Sequence, residues 1–111
     1  MELLQGTLEM LVLRTLLFGP LHGYGIAKAL ASSSDAALDV EFGSLYPALK
    51  RIEAKGWVSA KWDISENNRR VKYYRLTTAG KKQLQKEYTK WNEFAAMVAR
   101  IMGPIGDGGA N

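Results

Sequence analysis

The side chains in this 111-residue chain whose types and spacing could do chemistry are cations, and they fall in two groups. Lys50 and Arg51 follow Ser44 and Tyr46 at helical spacing, and Arg69, Arg70 and Lys72 lie together further on. Ammonium and guanidinium groups so placed bind phosphate oxygens and base edges. Other chemistries are poorly provided for. With no cysteine there is no thiolate, and His22, the one histidine, has no second ligand with which to hold a metal. Carboxylates are few and scattered, and no serine-histidine-aspartate set occurs, so neither an enzyme nor a cofactor is expected. Gly23 and Gly25 are not followed by GK[ST], which makes a tight turn the better reading than a phosphate loop.

The distribution of charge agrees. The net charge is +4, yet residues 41–82 carry ten basic and four acidic side chains, a net of +6, while residues 1–40 stand at −2 and 83–111 at zero. A basic patch confined to one substructure suits a phosphate backbone. An acidic protein partner would also meet it, and that alternative function stays open.

The elements that must position these cations are four helices and one hairpin. An apolar first helix is expected from Thr7 to Phe18, stopped by Gly19-Pro20, and it needs cover on more than one side. A short second helix follows over Tyr24–Ala31, with Tyr24, Ile26, Ala27 and Leu30 as its core face; residues 35–41 then form a connection with room for a short strand. Helix 3 is expected to start at Ser44 as N-cap, with Pro47 in the first turn and Gly56 as the stop. Leu45, Ala48, Leu49 and Ile52 share one side of it. Ser44, Pro47, Lys50, Arg51 and Ala54 share the other, with Tyr46 on the flank, the division a recognition helix in a major groove requires. Trp57–Ile64 and Val71–Leu76 pair as a hairpin, with Val58, Ala60 and Trp62 on one face, Tyr74 and Leu76 inward, and a mobile, arginine-bearing tip. This order is that of a winged helix-turn-helix, and double-stranded DNA is the expected partner.

Thr77 or Thr78 caps a last helix, taken from Lys81 to Met102. Along it Leu84, Tyr88, Trp91, Ala95, Val98 and Met102 recur at steps of four and three, widened by Phe94 and Ile101. So long an apolar stripe exceeds what its own domain can cover, and a homodimer interface is expected there. The fold class is therefore mainly α (α+β), a winged helix-turn-helix domain over residues 1–80 with a C-terminal dimerisation helix and frayed tail over 81–111. Hydrophobic residues at 47% suffice for a packed but small core. No apolar run approaches the ~18 residues of a membrane span, and Glu2 and Glu9 in an apolar start without a basic leader argue against a signal peptide. With no cysteines, a cytoplasmic location is expected and no membrane association.

Three stretches, LHGYGIAKAL, GSLYPALKRIEAKGWV and NNRRVKYYRLTTAGKKQL, resemble the PadR family of bacterial transcriptional regulators, in its subgroup with a single short C-terminal helix. The resemblance runs in register over about residues 3–92. It implies a winged-helix homodimer closed by the last helix and helix 1, repressing from a pseudo-palindromic operator and released by a small molecule or another signal. Carried over residue by residue, it implies a DNA surface of His22 and Tyr24 before helix 2, Ser44, Tyr46 and Lys50 in helix 3, and Arg69, Arg70 and Lys72 in the wing. It also implies a ligand role for Trp91, since similar short-form regulators place a tryptophan at the dimer interface against a small aromatic effector. Plain interface packing is the other reading of Trp91, and the Gly103-Pro104 break just beyond the helix departs from the ligand-binding type.

Overall fold

The computed structural model describes residues 6–105. In chain order the elements are α1 (Thr7–Thr15), β1 (Leu21–His22), α2 (Gly23–Ser33), α3 (Phe42–Ala54), β2 (Val58–Ile64), β3 (Arg70–Leu76) and α4 (Thr78–Met102). The three strands form one antiparallel sheet in the order β1-β3-β2, with Leu21 opposite Tyr74 and Val58 opposite Leu76. The fold is mixed α and β, a winged helix-turn-helix.

Val12, Leu13 and Leu16 of the α1 region, Ile26 and Leu30 of α2, and Leu45, Leu49 and Ile52 of α3 meet Val58 and Tyr74 of the sheet in one core. The α3 face that the 3.6-residue period selects is the one buried, Ala48 included. α1 packs on α2, α3 and α4, which is how a nearly all-apolar helix is covered. Leu38 plugs the core from the connection, where Ser34 Oγ accepts a hydrogen bond from its N–H at 2.9 Å.

Several boundaries differ from those the sequence suggests. α1 ends at Thr15, whose hydroxyl donates back to the Val12 carbonyl at 2.7 Å, and shorter i to i+3 bonds carry the chain through Leu16 and Leu17. α2 starts at Gly23 because His22 caps it, and Tyr24 points outward, away from the core face expected of it. No strand forms in 35–41; the third strand is Leu21–His22, too short to leave a periodic trace. α3 begins at Phe42, with the Glu41 carbonyl accepting from Ser44 and Leu45 N–H, both at 3.0 Å. Ser44 is thus a first-turn residue and not the N-cap. Pro47 lies beyond that turn, inside the helix, where its missing N–H leaves the Gly43 carbonyl without its helical donor.

Trp62 lies on the face that the alternation predicts for it. It shares a sheet face with Val58 and Ala60 but lies past the core edge, 54% exposed, with the Arg70 guanidinium 4.9 Å from its ring centroid. α4 opens at Thr78, three residues earlier than taken from the sequence, because Thr77 Oγ1 accepts from Gly80 N–H at 3.0 Å. Its 25 residues span about 37 Å. The frayed tail expected from Gly103 falls largely on residues 106–111, which lie outside the described residues.

Candidate nucleic-acid interface

α3 carries the centre of the site. With Leu45, Ala48, Leu49 and Ile52 locked in the core, Ser44, Tyr46, Pro47 and Lys50 are turned to solvent. Phe42, which falls before the helix start expected from the sequence, joins the same exposed side and stacks on Tyr46 with ring centroids 5.5 Å apart. Placing the N-cap three residues earlier in the sequence, at Glu41, would have revealed it, since Phe42, Tyr46 and Lys50 are spaced i, i+4, i+8.

The start of α2 lies against this helix. A Cβ at Gly23 would come within 2.8 Å of the Tyr46 hydroxyl, so glycine is what allows Tyr46 to lie over the α2 N-terminus. His22 is built in as a cap. Its Nδ1 accepts from Gly25 N–H at 3.0 Å, leaving Nε2 as the nitrogen available to donate, and its ring packs on Tyr73 with centroids 5.3 Å apart. Tyr24, next but one in sequence, is exposed, with Lys28 Nζ 5.7 Å from its ring centroid.

The wing tip is a closed turn. Ser65 N–H donates to the Arg69 carbonyl at 2.7 Å, Asn68 N–H to the Ser65 carbonyl at 2.8 Å, and Arg69 N–H to Ser65 Oγ at 3.3 Å. Asn68 takes the left-handed conformation, φ 58°, that closes such a turn, a role asparagine tolerates better than most residues. Arg69 and Arg70 emerge from this turn exposed, Arg69 from the loop and Arg70 as the first residue of β3.

The expected cations separate into two kinds. Arg51 Nε is held by Glu9 of α1 at 2.9 Å, and Lys72 Nζ by Glu53 of α3 at 3.1 Å. The hydrogen bond to Glu53 raises the Lys72 pKa above its ordinary value, partly opposed by desolvation, and Tyr74 and Glu53 add to the rise. Lys50, Arg69 and Arg70 form no ion pair among the described residues. The carboxylate partners were missed in the sequence because they come from other elements. The Lys72–Glu53 contact also shows that the sheet face bearing Trp62, Arg70 and Lys72 is turned toward α3.

α4 bears the second surface. Leu84 is 8% exposed and belongs to its own chain's core, while Tyr88, Val98 and Met102 are uncovered, with Ala95 partly so. Trp91, 42% exposed, lines an open groove with Phe94, Glu87 and Lys90 on α4 and Gly6, Thr7 and Met10 at the α1 end. Among the described residues no helix is long and apolar enough to cross a membrane.

Residues 12–86 match the model of the transcriptional regulator PadR-like family. A PadR family transcriptional regulator from Eggerthella lenta superposes with a TM-score of 0.77 at 33% identity, over 88% of this chain and 83% of that one. A transcriptional regulator from Clostridium thermocellum gives a TM-score of 0.81 over 89% and 96% of the two chains, and at 24% identity speaks for the fold. An uncharacterised protein of Lysinibacillus sphaericus is 28% identical over 102 residues, 91% of this chain and 93% of its own.

Proposed function

Since the chain belongs to the PadR-like family of transcriptional regulators, we propose that it is a cytoplasmic, homodimeric repressor of a pseudo-palindromic operator, one protomer to each half-site. Family membership makes it a DNA-binding regulator and not an enzyme. The observation that carries the finer reading is the exposure, on α3 and the wing, of Lys50, Arg69 and Arg70 without carboxylate partners among the described residues.

α3 lies in the major groove with Ser44, Tyr46 and Lys50 toward the bases. The wing sets Arg69 and Arg70 on phosphates or in the adjoining minor groove, and His22 Nε2–H and the Tyr24 hydroxyl serve as backbone contacts at the start of α2. Arg51 and Lys72 act mainly as struts, since phosphate can recruit them only in competition with Glu9 and Glu53. The uncovered stripe of Tyr88, Trp91, Ala95, Val98 and Met102 supports pairing of two α4 helices, which sets two recognition helices roughly 34–36 Å apart on one face of the duplex. Trp91 in the groove between α1 and α4 packs in the α4 seam; the alternative reading makes it the stacking site of a flat aromatic molecule that releases the operator.

The test is enrichment of genomic fragments by the purified protein, compared with a Lys50→Ala, Arg69→Ala, Arg70→Ala variant. A recovered inverted repeat that the variant loses is the expected result. Enrichment without any motif would sink the sequence-specific reading and leave the basic face for an acidic protein partner.

A further inference from the structure

The solvent side of α3 has an unusual chemistry for a surface that reads bases. Phe42, Tyr46 and Lys50 follow one another at four-residue steps, with Gly43 and Pro47 beside them, and all are exposed. From Phe42 to Leu49 there is no Asn, Gln, Arg, Asp or Glu. The side chains that identify adenine, or accept from cytosine, are therefore missing from the first two turns. What stands there is a phenyl ring 43% exposed, a pyrrolidine ring and two hydroxyls.

The phenyl ring is held in place. It stacks on Tyr46 at 5.5 Å and 29°, and Tyr46 rests over Gly23, where a Cβ would meet its hydroxyl at 2.8 Å. Phe42 also lies just outside the GSLYPALKRIEAKGWV stretch that carries the family resemblance. On the same side Lys50 supplies the charge that brings the helix to a polyanion. An oriented, half-exposed apolar ring pressed to the floor of a major groove finds one apolar partner, the C5 methyl of thymine.

We propose that Phe42 is a specificity-determining residue that reads a thymine methyl group in each operator half-site. The inference rests on α3 being the recognition helix and goes beyond that reading by naming the base and the atom. No polar atom on Phe42 takes part, so the discrimination is between methyl present and methyl absent, whatever the hydrogen-bonding pattern of the pair.

Deoxyuridine tests this directly, because it differs from thymidine only by that methyl. The full-length protein selects a motif from randomised duplexes, and each thymine of the motif is then replaced in turn by deoxyuridine. One position per half-site should lose about four-fold in affinity, the value of one buried methyl-sized group, and changing both half-sites should lose about fifteen-fold. Phe42→Ala should bind the thymine and uracil duplexes equally, while Phe42→Leu should keep part of the preference; thermal melting checks that both variants are folded. Wild-type protein indifferent to every replacement overturns the proposal. So does a Phe42→Ala variant that binds more weakly yet still prefers the methyl, since Phe42 would then only brace Tyr46. Failure to select any motif would remove the recognition-helix reading and this inference together, whereas a motif without methyl dependence removes this inference alone.

Discussion

A methyl group added at Gly80 would collide with the Trp57 carbonyl oxygen and come within 2.8 Å of Leu76 Cδ1. The first turn of α4 crosses the junction of α3 and β2 here, and Thr77 ties it down, its N–H to the Trp57 carbonyl at 3.1 Å and its hydroxyl to the Gly56 carbonyl at 2.7 Å. Gly80→Ala should cost about 1–3 kcal/mol in urea unfolding, the range of overpacked sites, despite its gain in helix propensity. Gly43→Ala, where the added carbon meets nothing within 4 Å, should instead stabilise by about 0.5–1 kcal/mol. Tyr74 and Lys72 make an alkaline prediction. Burial raises the Tyr74 pKa from its ordinary 10.0, and the hydrogen bond to Glu53 raises that of Lys72 from 10.5. Both groups hold their protons more tightly folded than unfolded. Their contribution is therefore intact below about pH 10 and lost as pH rises through the raised folded-state values. Circular dichroism against pH should show this loss, and Tyr74→Phe should move the alkaline midpoint upward. Neither Glu53 nor Glu9 could be matched to its cation beforehand, since the partners lie 19 and 42 positions apart and no local pattern joins them.

At the scale of elements, α3 and the wing have separate electrostatic duties. Arg69 and Arg70 leave the wing without carboxylate partners among the described residues, so Arg69→Ala, Arg70→Ala should weaken binding to all sequences. It should also flatten the plot of log affinity against log salt by about two for each protomer bound, or roughly 3.6 for the dimer, at close to 0.9 for each phosphate no longer neutralised. Arg51→Ala should change that slope by less, because Glu9 already neutralises Arg51 at 2.9 Å. A slope unchanged in the double variant would count against the wing as a DNA-binding element. The buried side of α3 was legible because Leu45, Ala48, Leu49 and Ile52 recur with the helical period, and the hairpin because its apolar residues alternate. The start of α3 was not. Ser44 has the chemistry of a cap, but the Glu41 carbonyl begins the hydrogen-bonding ladder earlier and draws Phe42 into the helix. The two-residue β1 likewise exists only because β3 supplies its partner.

The described residues span 60 × 27 × 22 Å, elongated by an α4 whose distal turns the others leave uncovered. Val98→Glu with Met102→Glu should shift the protein from dimer to monomer in sedimentation, leave thermal unfolding of the winged domain nearly unchanged, and lower operator affinity by on the order of a hundredfold through loss of bivalency. Leu84→Ala, earlier on the same stripe, should act differently. It removes a buried core side chain and should cost about 2–5 kcal/mol of stability before it touches association.

Periodicity and the clustering of ten basic side chains in residues 41–82 were sufficient by themselves to determine the winged-helix class, the buried side of α3 and the position of the basic hairpin. These are properties of near neighbours in the chain, and local sterics and solvation act on neighbours. Tertiary structure alone decided that Tyr24 and Trp62 face solvent, that Leu84 serves the core, and that Arg51 and Lys72 are held while Lys50, Arg69 and Arg70 are not. Each of those outcomes depends on which surface another element covers and where its carboxylates arrive, and that is set only when the chain closes on itself.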